Sequence, residues 1–201
     1  MSAQTEYGLR MGTGSAGGFV DASRHEVESR GNAAADGEML FGLGAVTGDE
    51  PGRNVTLPDS DSAASDFEGI TVNSHRHEQD RDGKVTLRNG ETVGVLRKGR
   101  IYARVTEDSD PAYGDAVYLV TDGDDAGKFT EDSSAGIAVS GVFLGGKLSH
   151  YDSNSGGYAY TAPVQIDADR FVPAESSETS DTDEDEETEE TEESSEDETE
   201  E

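Results

Sequence analysis

Short apolar runs broken by glycine and turn residues, rather than long amphipathic stretches, organise the middle of this chain. The densest part lies between Phe67 and Val120 and reads Phe67-Glu-Gly-Ile-Thr-Val72, then Glu91 through Val105, then Gly114 through Val120. In Arg100–Val105 the alternation is clean: Ile101, Ala103 and Val105 share one face and Tyr102 and Arg104 the other. Further strands are predicted at 39–48, where Gly42 and Gly44 suggest a bulge or close approach, and at 54–57, 84–88, 92–96, 142–144 and 159–166. Asp82-Gly83 and Asn89-Gly90 read as turns, and Arg97-Lys98-Gly99 as a hairpin turn between two strands. No window of eleven or more residues carries a 3.6-residue period, so little helix is expected. The predicted fold class is all-β, a small antiparallel β-barrel or β-sandwich; strand order is not written in the pattern, and the two stay open.

The flanks differ in composition. Residues 1–38 are rich in Gly, Ala and polar side chains and are expected as an extended N-terminal arm, with Phe19-Val20 and Glu26-Val27-Glu28 as short pairing segments. Residues 174–201 contain Ala174 as their one apolar residue and are expected as a disordered acidic tail. Between them, 39–173 forms the predicted β domain.

Charge sharpens this picture. The chain of 201 residues has a net charge of −30, from 45 acidic and 15 basic residues. Seventeen of the acidic residues follow Arg170, leaving 28 against 15, or −13, for the rest. No basic stripe is present to replace counterions on a nucleic acid, so nucleic acid is not an expected partner. Four lysines against eleven arginines on so acidic a chain suit molar salt, where the Debye length falls to roughly 3 Å; a halophilic source is the expectation. There is no cysteine for a disulfide or thiolate site, and no apolar run approaches the roughly 20 residues of a membrane span. The N-terminal stretch lacks the apolar core of a signal peptide.

Candidate chemistry is thin. His75 and His77 would share one side of a strand beside Glu78 and Asp80, but they lack a clear third metal ligand. Asp122-Gly-Asp124-Asp125-Ala-Gly127 opens like a calcium loop, yet its fifth position is Ala126 and its twelfth, where a bidentate Glu belongs, is Ser133, so a β-turn is predicted. Gly12-Thr-Gly14-Ser-Ala-Gly17 matches a dinucleotide fingerprint by letters alone, with no preceding strand or following helix. Asn54-Val-Thr56 is a glycosylation sequon of the kind that arises by chance. No serine sits in a nucleophile elbow, and carboxylates are too abundant to single out an acid–base pair. The chain is therefore expected to be no enzyme, with no metal, no cofactor and no small-molecule substrate.

Against this background, several pieces in order along the chain resemble the structural cement, or head decoration, proteins of tailed phages. They are His25-Glu-Val-Glu-Ser29, Leu40-Phe-Gly42 with Gly44-Ala-Val46, Asn54-Val-Thr-Leu-Pro58 and Phe67–Val72 followed by His75. Glu91–Val105, Gly114-Asp-Ala-Val-Tyr118 and Ala138–Leu144 complete the set, spanning about residues 20–166. The stretches 48–66 and 145–160 look enlarged, and the acidic tail has no evident counterpart. The resemblance implies a virion protein on the outer surface of the capsid, partnered by the major capsid protein, with no substrate and no cofactor, and commonly a homotrimer bridging capsomers. On that footing, the arm supplies the expected capsid contacts (Phe19, Val20, His25, Val27), and the 92–105 hairpin the expected trimer contacts (Arg97, Lys98, Arg100, Tyr102, Arg104). Tyr102 and Arg104 are expected to be exposed on the face opposite Ile101.

Two other readings compete. One is an acidic interaction protein, a DNA mimic or basic-protein chaperone acting through the tail. The other is a tail or fibre component of the virion.

Overall fold

The computed structural model describes residues 14–74, 85–152 and 155–169. These form ten strands: β1 (Glu26–Asn32), β2 (Gly44–Thr47), β3 (Asn54–Thr56), β4 (Phe67–Val72), β5 (Thr92–Arg104), β6 (Ala116–Leu119), β7 (Phe129–Thr130), β8 (Ile137–Phe143), β9 (Leu148–Asp152) and β10 (Gly157–Asp167). The remaining regular structure described is two single turns of 3₁₀ helix, at Ala64–Asp66 and Gly123–Asp125.

Strand order settles the alternative left open by the pattern. β1, β3, β2, β4 and β5 pair in that order, and β5 pairs back to β1, closing a five-stranded barrel. Within the barrel, among the described residues, the β1–β3 pairing is the parallel one, through Gly31–Asn54 and Asn32–Val55. β5 then leaves the barrel to pair with β10, and the sheet continues through β8, β6 and β7. A bridge between Val105 and Phe129 brings β7 back to the end of β5. β9 pairs with β10 alone, as a hairpin beyond the sheet.

Two hydrophobic cores follow. One gathers Met39, Phe41, Ala45, Val55, Val85, Leu87, Val93 and Val95 within the barrel. The other, between the barrel and the second sheet, includes Phe67, Ile70, Leu96, Ile101, Val117, Phe129, Phe143, Val164 and Ile166. The 84–88 segment, expected as a strand, contributes Val85 and Leu87 to the barrel core from outside the named strands.

The hairpin expected at Arg97-Lys98-Gly99 does not exist. β5 runs unbroken from Thr92 to Arg104. Against β1 its register shifts, Glu26 pairing with Lys98 but Val27 with Leu96, so Arg97 is an extra residue in a β-bulge. An extra residue exchanges the two faces of a strand. Val93 and Val95 accordingly serve the barrel core, whereas the odd-numbered Ile101, Ala103 and Val105 serve the other. Gly99 (φ 142°) lies just beyond the bulge, and a Cβ there would lie 2.8 Å from that of His25. The residues that read as a turn instead let one strand line two cores.

β8 extends further toward the N-terminus than expected, and β7 and β9 are strands where loop was expected. His75 and His77 lie outside the described residues, as does 174–201.

Candidate interaction surface

The two sets of residues expected to make separate contacts lie along one stretch of β5, a ledge with two faces. After Gly14 the chain runs antiparallel along the outer edge of β5. Gly17 N–H donates to Tyr102 O (2.8 Å), Tyr102 N–H to Gly18 O (2.9 Å) and Val20 N–H to Arg100 O (3.2 Å), with Phe19 bridged to Ile101. Following an excursion at 21–25, β1 continues along the same strand. Phe19, Val20, His25 and Val27 are thereby set beside Lys98, Arg100 and Tyr102. The segment Glu26-Val27-Glu28, expected as a short pairing piece, is part of a seven-residue strand.

On this ledge the Phe19 and His25 rings stack with centroids 4.2 Å apart. Phe19 remains 38% exposed and Val27 41%, both large apolar side chains open to solvent. Two cations project from the other face of the same strand, since Phe19 pairs with Ile101 and side chains alternate along β5. Arg100 pairs with Asp21 (3.0 Å) and donates to Gln165 (3.0 Å); Lys98 pairs with Asp167 (2.6 Å). Hydrogen bonds from Ser23, then from Arg100, hold the Asp21 carboxyl at about 2. The hydrogen bond to Asp167, followed by its charge, raises Lys98. Arg97 is drawn inward instead, bonded to the Glu68 carboxylate and carbonyl and to Asp169 (2.9 Å). Tyr102 is half-buried beneath Gly14, whose Cβ would fall 2.1 Å from its ring atoms.

Arg104 departs from expectation. It does lie opposite Ile101, but that face is covered, and the residue is 5% exposed. Its Nε donates to Phe41 O (2.7 Å) and its Nη2 to the Asp152 carboxylate on β9. Burial alone would raise the Asp152 pKa; the charge and hydrogen bond of Arg104, with bonds from Ser155, outweigh it and bring the net shift down. A guanidinium so buried offers no exposed surface for a contact, so Arg104 leaves the ledge.

The second surface was not foreseen. On β9 and β10, Tyr151 and Tyr158 face each other across the strands with rings edge-to-face, centroids 6.1 Å apart. They are 64% and 77% exposed. The signal available in the sequence was two aromatics either side of a Ser/Gly-rich turn, in a stretch otherwise read as enlarged loop.

The remaining singled-out residues have ordinary partners. His150 Nε2 accepts the Ala16 N–H (3.2 Å), and burial lowers its pKa. Asn54 is held by its own loop: its Oδ1 accepts the Glu50 N–H and its Nδ2 donates to Asp49. The 122–127 segment folds as a 3₁₀ turn capped by Asp122, with Asp125 paired to Lys128.

A closed five-stranded barrel whose β5 runs on into a further set of strands defines an all-β protein. Residues 3–167 match the family model described as structural cement protein (E217 gp24/Pam3 gp6), and the chain belongs to that phage cement family. Among solved structures, a chain from "The capsid of Myoviridae Phage XM1" is similar in fold, with a TM-score of 0.56 and 19% identity, over 86% of this chain and 100% of that one. No curated protein matches. The family is structural rather than a class of enzymes, and membership places the protein in the virion, in association with capsid protein.

Proposed function

We propose that the protein binds the outside of the viral head and stabilises the junctions between capsomers, acting as a homotrimer. The observation that carries this reading is the family match over 3–167, to which the ledge along β5 adds a physical basis. Phe19, His25 and Val27 offer apolar and aromatic area, and Lys98 and Arg100 are cations on an otherwise acidic body. Copies of so acidic a chain meet most favourably where such cations can also reach a neighbour's carboxylates. We assign Arg97, Lys98, Arg100 and Tyr102 to the trimer contact, Arg97 by orienting Glu68 beneath the ledge, and Phe19, Val20, His25 and Val27 to the capsid contact. Binding through several copies at once multiplies modest contacts by effective concentration, which suits joints that internal pressure tends to open. No substrate or cofactor enters this role.

The test is a density map of the particle. Density for this fold on the outer head surface, at copy number matching capsomer junctions, is the expected result. Density in the tail or fibre, or none on the head, would overturn the reading.

A further inference from the structure

The core-facing side of the second sheet does not end where its core ends. Along β10, Ile166, Val164 and Ala162 are buried in that core, and Tyr160 packs against its margin. Side chains alternate along a strand, so the next residue on the same side is Tyr158, paired across the strands with Tyr151. There the cover stops, and both rings stand in solvent. Two adjacent aromatic anchors continuing a core face are a surface shaped for an occupant.

The support beneath them is rigid. On the opposite side of the hairpin, Asp152 is buried against Arg104 and accepts the Ser155 N–H (2.8 Å), while His150 holds Ala16. Ala159 and Thr161 are buried there as well. The tyrosines are thus presented on strands fixed from behind, which limits the ordering cost of contact.

Charge identifies the occupant. The described residues from Lys147 to Tyr160 contain two formally charged side chains, and both are engaged. Asp152 is neutralised by Arg104; Lys147 donates to Glu107 O (2.6 Å) and lies 5.2 Å from the Tyr160 ring centroid. The Tyr160 hydroxyl also donates to the Glu107 carboxylate (3.3 Å), so at this margin Glu107 and Lys147 offset each other, and on a chain of net charge −30 the aromatic face carries no net charge among the described residues. A second copy would bring its own −30 toward it, and among the described residues of the hairpin there is no cation left over to compensate. The geometry points to the head shell as the occupant: Tyr151 and Tyr158 dock into an apolar, uncharged depression on the capsid protein, as a second capsid-contacting element separate from the β5 ledge. This inference rests on the head-binding reading.

The test uses full-length protein and purified phage heads freed of it. Tyr151→Ser with Tyr158→Ser is compared with wild type and with Tyr113→Ser, which changes a tyrosine 80% exposed elsewhere. The expected result is head binding weaker by at least about tenfold in the double variant, with Y113S binding as wild type and sedimentation of the free protein unchanged in both. Three results overturn it: equal binding by the double variant, an equal loss in Y113S, or a changed oligomeric state of the free double variant, which would make the face a contact between copies. Failure of wild type itself to bind heads would instead overturn the head-binding reading, and this inference with it.

Discussion

Arg104 and Asp152, 48 residues apart in sequence, meet as a buried ion pair, with side-chain exposures of 6% and 5%. The pair ties the end of β5 to β9, a strand whose pairing is to β10 and not to the main sheet path beyond it. Replacing Arg104 by Met strands a carboxylate in a dry site and should lower unfolding free energy by about 3–5 kcal/mol, measured by urea denaturation. The double change Arg104→Met with Asp152→Leu should recover much of that loss, since a buried pair replaced by apolar groups of similar volume is often near neutral. A double variant no more stable than the single would show that the pair is not the hairpin's anchor.

Gly69 tests the packing of β4 against the bulge of β5. Its φ is 141°, and a Cβ would lie 2.2 Å from Leu96 O, a main-chain atom that cannot swing aside. Gly52 shares a positive φ of 77° but has nothing within 4 Å. Gly69→Ala should therefore cost roughly 2–4 kcal/mol. Gly52→Ala should cost about 1 kcal/mol, the conformational penalty alone. Thermal unfolding of the two variants side by side separates collision from backbone preference; equal losses would remove the collision.

Such contacts explain what could and could not be read from the chain. Phe67–Val72 and Ala116–Leu119 were legible because their apolar residues announce burial locally. Arg97-Lys98-Gly99 was misread because two cations before a glycine have the composition of a turn. What keeps them in a strand is remote: Glu68 and Asp169 take Arg97, and Asp167 takes Lys98. β9 was invisible for the same reason, since Leu-Ser-His-Tyr-Asp buries its aspartate only because Arg104 meets it. Arg104 itself was placed on the correct side of its strand, but nothing local reveals that Phe41 O and Asp152 cover that side. The ledge was legible in its members and not in its unity, which depends on residues 17–20 pairing with 100–102.

His150 makes the hold on the N-terminal segment depend on pH. Its Nε2 must be unprotonated to accept the Ala16 N–H, and Ala16 is fully buried. Burial lowers the His150 pKa first; the Asp152 charge opposes this, and the Arg104 charge adds to it. With the folded value below the ordinary 6.5, the unfolded chain binds more protons in the window beneath it. The stabilisation is therefore complete above 6.5 and is lost as pH falls from there through the lowered folded value. Hydrogen-exchange protection of the Ala16 amide, corrected for intrinsic rate, should drop over that range. In His150→Gln, which retains an acceptor but does not titrate, the protection should be flat with pH; a drop of the same size in both proteins would assign the effect elsewhere.

Salt and the acidic C-terminus can be separated by one truncation. All seventeen acidic residues after Arg170 lie within 174–201, so deleting that stretch takes the net charge from −30 to −13. We expect the full chain to need high salt for compactness and assembly, because self-repulsion at −30 is screened at molar ionic strength, where the Debye length is roughly 3 Å, and much less at about 0.1 M, where it is about 10 Å. The truncated protein should tolerate dialysis to about 0.1 M salt better than the full chain, as read by sedimentation and intrinsic tyrosine fluorescence. Its binding to heads in high salt should match that of the full chain, since the ledge and the tyrosine face both precede residue 174. Equal stability of the full chain in both salts would remove the halophilic reading. Loss of head binding on truncation would move part of the contact into the acidic stretch and revive the view of it as an interaction segment.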